Sequence, residues 1–293
     1  MDLISRLKLE PLLCDGAMGT QLIAAGLKPG EAAELWNVER TADVEAIHRA
    51  YRDAGCDLVT TNTFGGTTTA LAKHDLADRA AELNELAVRY ARRAVGGNCF
   101  LLGDIGPCGE FLEPMGTLSD ADMTAIYREQ SRALKQGGAD AILIETMSDP
   151  NEMRIAIESA KSIAYWPVIA TYAFNAPVNG VFRTMMGTGV EEAITTAINA
   201  GADVVGANCG TGLTLDDYVE LARAIVAVAG STPVIIQPNA GAPQTINGKT
   251  VHTATPGDMA AIVRPLLDAG VSIIGGCCGT TPAHLQAMAD QMP

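Results

Sequence analysis

The stretch Ala200-Gly201-Ala202-Asp203-Val204-Val205-Gly206-Ala207-Asn208 decides the fold. A helical pattern stops at alanine, a glycine follows, and an aspartate opens a short apolar, β-branched run. Glycine just past a helix accepts the left-handed conformation that ends it. The joint recurs at Ala54-Gly55-Cys56-Asp57 and Gly137-Gly138-Ala139-Asp140, and in reduced form at Ala269-Gly270. Counting outward from these joints, strand-like runs fall at 12–15, 57–62, 100–105, 141–146, 168–173, 204–208, 234–238 and 271–275, spaced as strand–helix units are. Eight units predict a (β/α)8 barrel, with residues 1–293 forming a single domain. An open doubly wound sheet uses the same joints, but no Gly-x-Gly-x-x-Gly follows the first run. Thr41, Ser119 and Thr214 are the expected helix N-caps. Asn247-Gly248 predicts a hairpin within 244–252, after the seventh strand, and Asn179-Gly180 a turn after the fifth.

Composition narrows the partners. Twenty Lys and Arg against 34 Asp and Glu leave a net charge of −14, with no basic stripe; nucleic acid and anionic membranes are therefore not expected partners. No apolar stretch approaches the roughly 20 residues of a membrane span. Residues 1–11 carry Asp2, Arg6, Lys8 and Glu10 and lack a signal-peptide core, which predicts a cytoplasmic chain. Seven cysteines, an odd number in a chain this long, do not read as a disulfide framework. Cys14, Cys56, Cys99 and Cys108 read as small core residues.

The other three stand apart. Cys209 follows the sixth run, and Cys277-Cys278 follow the eighth within Gly275-Gly276-Cys277-Cys278-Gly279-Thr280-Thr281. Active sites of such barrels form at the carboxyl ends of the strands, and barrel closure would bring these residues onto one rim. Three thiolates can hold Zn²⁺ and leave one coordination position open. A rival reading is a phosphate cradle at Gly279-Thr280-Thr281-Pro282, which leaves both cysteines without a role. No histidine or lysine ends a strand, so the rim offers thiols, carboxyls and amides, a donor set that suits a soft metal.

Longer motifs carry a resemblance. Residues 13–20 (LCDGAMGT), 61–64 (TNTF), 103–107 (GDIGP), 144–146 (IET), Asn208-Cys209, 238–241 (PNAG) and 275–282 (GGCCGTTP) closely resemble the homocysteine S-methyltransferase family. Within it they are most similar to the homocysteine-binding barrel of cobalamin-dependent methionine synthase. The resemblance implies a cytoplasmic zinc enzyme that methylates homocysteine to methionine. It implies Cys209, Cys277 and Cys278 as zinc ligands, with Asn239 in the fourth position when substrate is absent. It implies Asp15 and Glu145 as carboxylates that hold the amino acid portion of homocysteine, helped by the backbone at Gly16. Asp104 reads equally as a site acid or a turn residue.

For the methyl donor, the resemblance implies methylcobalamin on a separate corrinoid protein. The alternative is a small onium compound, betaine or S-methylmethionine, because Trp36 resembles the donor-facing tryptophan of those branches and an aromatic face attracts such cations. A zinc-binding barrel without turnover is the non-catalytic alternative. Phe182, Met185 and Met186, after the fifth strand, are candidates for an apolar docking surface.

Overall fold

Each predicted run becomes a parallel strand in the computed structural model, which describes residues 2–246 and 249–293. The strands are β1 (Leu12–Leu13), β2 (Leu58–Thr60), β3 (Phe100–Ile105), β4 (Ala141–Met147), β5 (Val168–Tyr172), β6 (Val204–Asn208), β7 (Val234–Gln237) and β8 (Ile273–Ile274). Neighbours in sequence are neighbours in the sheet, and β8 pairs with β1. A parallel bridge between Cys14 and Leu58 joins β1 to β2 and closes the ring. This is the (β/α)8 barrel.

Helices follow the strands around the outside: α1 (Thr41–Asp53), α2 (Ala80–Val95), α3 (Asp120–Gly137), α4 (Pro150–Ile163), α5 (Val190–Ala200) and α6 (Leu215–Ala229). The seventh, α7, comes in two segments (Pro256–Ala261 and Val263–Asp268), and α8 is Pro282–Ala289.

The repeated joint has a double use. Gly55, Gly138, Gly201 and Gly270 all have φ between 94° and 102°, the left-handed region that glycine tolerates. The aspartate that follows reaches sideways to the preceding strand. Asp57 accepts the Leu13 N–H at 2.9 Å, Asp140 that of Leu101 at 2.7 Å, and Asp203 that of Val168 at 2.8 Å. Each of these aspartates also donates its own N–H to the carbonyl of the same partner residue. Three latches thus fix the register of β2 on β1, β4 on β3 and β6 on β5 at the amino ends of the strands. At β8 the corresponding residue is Ser272, whose N–H reaches the Val234 carbonyl at 2.8 Å.

One apolar cluster draws a residue from every strand, among them Leu12, Leu58, Leu102, Leu143, Ile235 and Ile273, and fills the barrel interior. Leu3, from a short helix (Leu3–Leu7), belongs to the same cluster and plugs the amino end. Cys14, Cys56, Cys99 and Cys108 are buried free thiols, as expected of core residues.

Ser119 and Thr214 cap α3 and α6 in reciprocal boxes with Asp122 and Asp217. Thr41 does not cap α1. A short helix (Trp36–Glu39) runs almost directly into α1, so Arg40 occupies the junction and the Thr41 hydroxyl donates back to the Asn37 carbonyl at 2.7 Å. Asn179 and Gly180 have φ of 52° and 75° and form a tight two-residue hairpin turn between Val178 and Val181. After β7, short strands Gln244–Ile246 and Lys249–Val251 pair antiparallel, as the predicted hairpin requires; its Asn247-Gly248 turn lies outside the described residues. Among the described residues, no helix is long and apolar enough to cross a membrane.

Candidate active site

The carboxyl ends of β6, β7 and β8 bring the three cysteines together. Their sulfur atoms lie within 4.8 Å of one another, and Cys209 Sγ is 3.9 Å from Cys278 Sγ. The approach is tight because of glycine. A Cβ on Gly275 would lie 2.9 Å from that of Cys14, and one on Gly276 only 2.6 Å from Thr280 Oγ1. No larger residue lets the chain turn here and deliver two adjacent cysteines. The β7 end runs between the two cysteine loops: Cys277 N–H donates to the Pro238 carbonyl at 2.8 Å, and Ala240 N–H to that of Cys278 at 2.9 Å.

Cys209 itself is strained, with φ of 52° in a residue that is not glycine. The Tyr218 hydroxyl donates to its carbonyl, and its N–H reaches the Gln237 carbonyl at 3.2 Å. Thr146, at the end of β4, is also left-handed with φ of 62°. Backbone strain of this kind clusters where side-chain direction matters.

The three sulfurs titrate as a unit. Hydrogen bonds from the Cys277 and Cys278 thiols pull Cys209 down to about 3. The same sharing pushes Cys278 up to about 12 and raises Cys277. Beside them, the amide of Asn239 donates to the Gly210 carbonyl at 3.2 Å and leaves its buried Oδ1 without a partner. Three convergent soft donors and an unpartnered amide oxygen next to one of them fit a tetrahedral cation such as Zn²⁺.

The thiols form one wall of a cavity of about 340 Å³, whose lining includes Gly16, Glu34, Asp104, Glu145 and Gln237. Among the lining residues there are carboxyls but no lysine, arginine or histidine. Asp104 Oδ1 and Gln237 Oε1 are buried acceptors without partners. Burial, together with the negative charges of Cys209 and Asp15, raises Glu145 to about 8. Burial and the charge of Glu145 raise Asp104 well above the usual carboxylate range. This wall needs a donor, and an ammonium group has three.

Asp15 lies deeper, 1% exposed, with both oxygens taken up by Thr60: the N–H at 2.8 Å and the hydroxyl at 3.1 Å from each. Burial outweighs those bonds and lifts it to about 7. Gly16 is glycine because a Cβ would sit 2.4 Å from Thr280 Oγ1.

Trp36 is elsewhere. It is buried in a separate cluster with Leu22 and Val44, and the Arg40 guanidinium covers its ring at 4.4 Å. A second cavity, of about 380 Å³, shares Cys209 and Thr146 with the first and is walled partly by Phe111, Met185 and Met186. Phe182 belongs to the core, whereas Met185 is 74% exposed.

Asn208, the last residue of β6, was not assigned a role by the sequence. It is fully buried, and its amide reaches Glu145, Thr146, Thr171 and Cys277. Its place beside Cys209 was the one available signal.

A model of the family described as homocysteine S-methyltransferase matches residues 12–292. The chain belongs to that family. The methionine synthases of Mycobacterium tuberculosis and Mycobacterium leprae are 33% and 31% identical over 98% of the chain, which spans about a quarter of their length (25% of each). Crystal structures of the homocysteine methyltransferase MmuM from Escherichia coli share the fold at 22% identity. The metallated form aligns with a TM-score of 0.79 over 96% of each chain, and the oxidized form with 0.80 over 99% of this chain and 100% of that one.

Proposed function

We propose that this chain, acting as one homocysteine-binding domain, transfers a methyl group to the sulfur of homocysteine and releases methionine. Cys209, Cys277 and Cys278 would hold Zn²⁺, with Asn239 Oδ1 as a weak fourth donor that a thiol displaces. One observation carries the reading: a single cavity joins three thiols to a wall of hydrogen-bond acceptors without basic side chains. An amino acid that ends in a thiol matches both halves.

When bound, zinc would keep the substrate sulfur deprotonated at neutral pH while three anionic ligands leave that sulfur nucleophilic. The chain's own residues orient the rest. Glu145 and Asp104 receive the ammonium of homocysteine, and the Asp15 charge beneath them strengthens its hold. Gly16 lets the pocket floor approach the substrate closely. The transfer is an in-line displacement: the sulfur–methyl bond forms as the bond from methyl to donor breaks, and the donor keeps that electron pair. No side chain needs to move a proton in that step, in keeping with a rim whose lining holds no histidine.

For the donor we favour methylcobalamin held by a corrinoid-binding module, in the cytoplasm. The match to methionine synthases supports this. So do Phe64, Phe111, Met115, Val178 and Met185, exposed on loops after β2, β3 and β5, which give the mouth an apolar rim for a large partner. A betaine or S-methylmethionine donor would call on the Trp36 ring face, and Arg40 already covers it.

Zinc-edge absorption spectroscopy tests the acceptor half. It should count three sulfur neighbours at rest and four with homocysteine; an unchanged shell would leave the barrel a metal holder without turnover. Parallel assays with methylcobalamin, betaine and S-methylmethionine test the donor.

A further inference from the structure

We propose that Asn208 is a positioning residue that couples the metal end of the pocket to the ammonium end. Its Nδ2 carries two hydrogens and faces three acceptors: Thr146 Oγ1 at 2.7 Å, Glu145 Oε2 at 2.9 Å and Cys277 Sγ at 3.8 Å. Its Oδ1 is held by the Thr146 N–H and the Thr171 hydroxyl, both at 2.8 Å, so the amide cannot rotate away.

The coupling follows from the count of hydrogens. Thr146 has a rotatable hydroxyl and can give up its share, which leaves one N–H for the carboxylate and one for the sulfur. A hydrogen bond onto a ligating thiolate is charge-assisted; it favours the deprotonated sulfur and fixes its orientation toward the ion. The bond to Glu145 keeps that carboxylate turned toward the cavity, where it can meet an ammonium. When an ammonium also donates to Glu145 Oε2, it competes with the Asn208 N–H there, and the fixed amide lends more of its donor capacity to Cys277, so binding at one end is felt at the other. Asn208 thus acts through Glu145 and Cys277, without touching the reacting atoms.

This inference rests on the homocysteine reading above, and the test separates the two. Asn208→Asp keeps the oxygen that Thr146 and Thr171 hold but removes the N–H donors; Asn208→Ala removes both. Thr171→Val removes one anchoring bond and leaves the donors in place. For each purified chain, three quantities are measured: zinc affinity by chelator competition, the sulfur-to-cobalt charge-transfer band of the Co²⁺-loaded protein, and homocysteine affinity by calorimetry. Far-ultraviolet dichroism and thermal melts report the fold.

We expect Asn208→Asp and Asn208→Ala to lose 10- to 100-fold in zinc affinity, the usual cost of removing a hydrogen bond onto a metal ligand. Their charge-transfer band should shift, and homocysteine affinity should fall alongside. Thr171→Val should stay within a few-fold on all three. If Asn208→Asp folds and keeps wild-type zinc affinity, band position and homocysteine affinity, the assignment is overturned and Asn208 merely braces β4 against β6. An unfolded Asn208→Ala, or Thr171→Val losses equal to those of Asn208→Asp, would likewise assign it that bracing role. If the wild-type chain binds zinc but not homocysteine, the functional reading fails instead.

Discussion

Replacing Asp15 by asparagine should make the protein more stable at pH 8 while weakening its grip on homocysteine. Asp15 is buried, and even with Thr60 donating to both oxygens its carboxyl is raised from 3.8 to about 7. A folded-state value above the unfolded one means the native state prefers the protonated acid. Stability from this group is therefore intact below pH 4, falls as pH rises through the interval up to about 7, and is flat above. The whole interval corresponds to about 4 kcal/mol, of which about 3 kcal/mol falls between pH 5 and pH 8.

Asparagine is isosteric, can still accept from the Thr60 N–H, and carries no charge. Whatever pH-independent cost it brings, the difference between wild type and Asp15→Asn should move by about 3 kcal/mol in favour of the variant from pH 5 to pH 8. Urea unfolding of the zinc-loaded proteins at the two pH values measures it. On the functional side, losing a negative charge below the ammonium site should weaken homocysteine binding about tenfold, or about 1.4 kcal/mol. If the stability difference is the same at both pH values, Asp15 is not a strained buried charge. If homocysteine affinity is also unchanged, its place under the substrate is wrong.

Three further substitutions probe other parts of the argument. Cys209→Ala should abolish zinc retention and turnover together, because two thiols cannot close the site; full zinc by metal analysis with normal turnover would refute the ligand set. Trp36→Ala should leave a methylcobalamin-driven rate within a few-fold while destabilising the chain by roughly 3–5 kcal/mol, the cost of emptying a buried tryptophan site; a selective loss of betaine- or sulfonium-driven rate would restore the onium donor. Asp203→Ala removes the latch on the Val168 N–H and the ion pair with Lys161, and should cost roughly 1–3 kcal/mol in a denaturation midpoint without shifting homocysteine affinity.

The latches also show why the barrel was legible. Glycine–x–aspartate records a physical need at a fixed place in each repeat: a left-handed helix exit, then an acceptor for the preceding strand's N–H. Both are local, so both appear as residue types at fixed spacing. The cysteine trio was legible for a related reason, since strand ends of a barrel converge whatever the loops do. What escaped was side-chain direction. Trp36 resembles a donor-facing residue, yet it carries Arg40 four positions on, close enough in the turn to cover its ring. Thr41 has the composition of a cap, but a preceding helix takes its hydroxyl. Asp15 and Asp104 both end strands, and only the packing leaves one saturated by Thr60 and the other with an open oxygen.

That last contrast bears on how the pocket works. An acid whose oxygens are all satisfied contributes charge without contact, whereas one with an orphaned oxygen demands a donor. On the proposed reading, Asp15 and the pair Asp104 and Glu145 would divide the labour of holding an ammonium, one supplying field and the others hydrogen bonds. The thiol end has the same division, with three sulfurs converging and Asn239 offering an oxygen that nothing else claims. Both ends of the cavity are thus built with acceptor capacity left open, at a cost to the folded state that a ligand can offset. Stability should accordingly rise when the amino acid and the metal are both present by more than the sum of their separate effects, since the substrate sulfur would complete the metal's coordination and each ligand would add a contact that the other lacks alone.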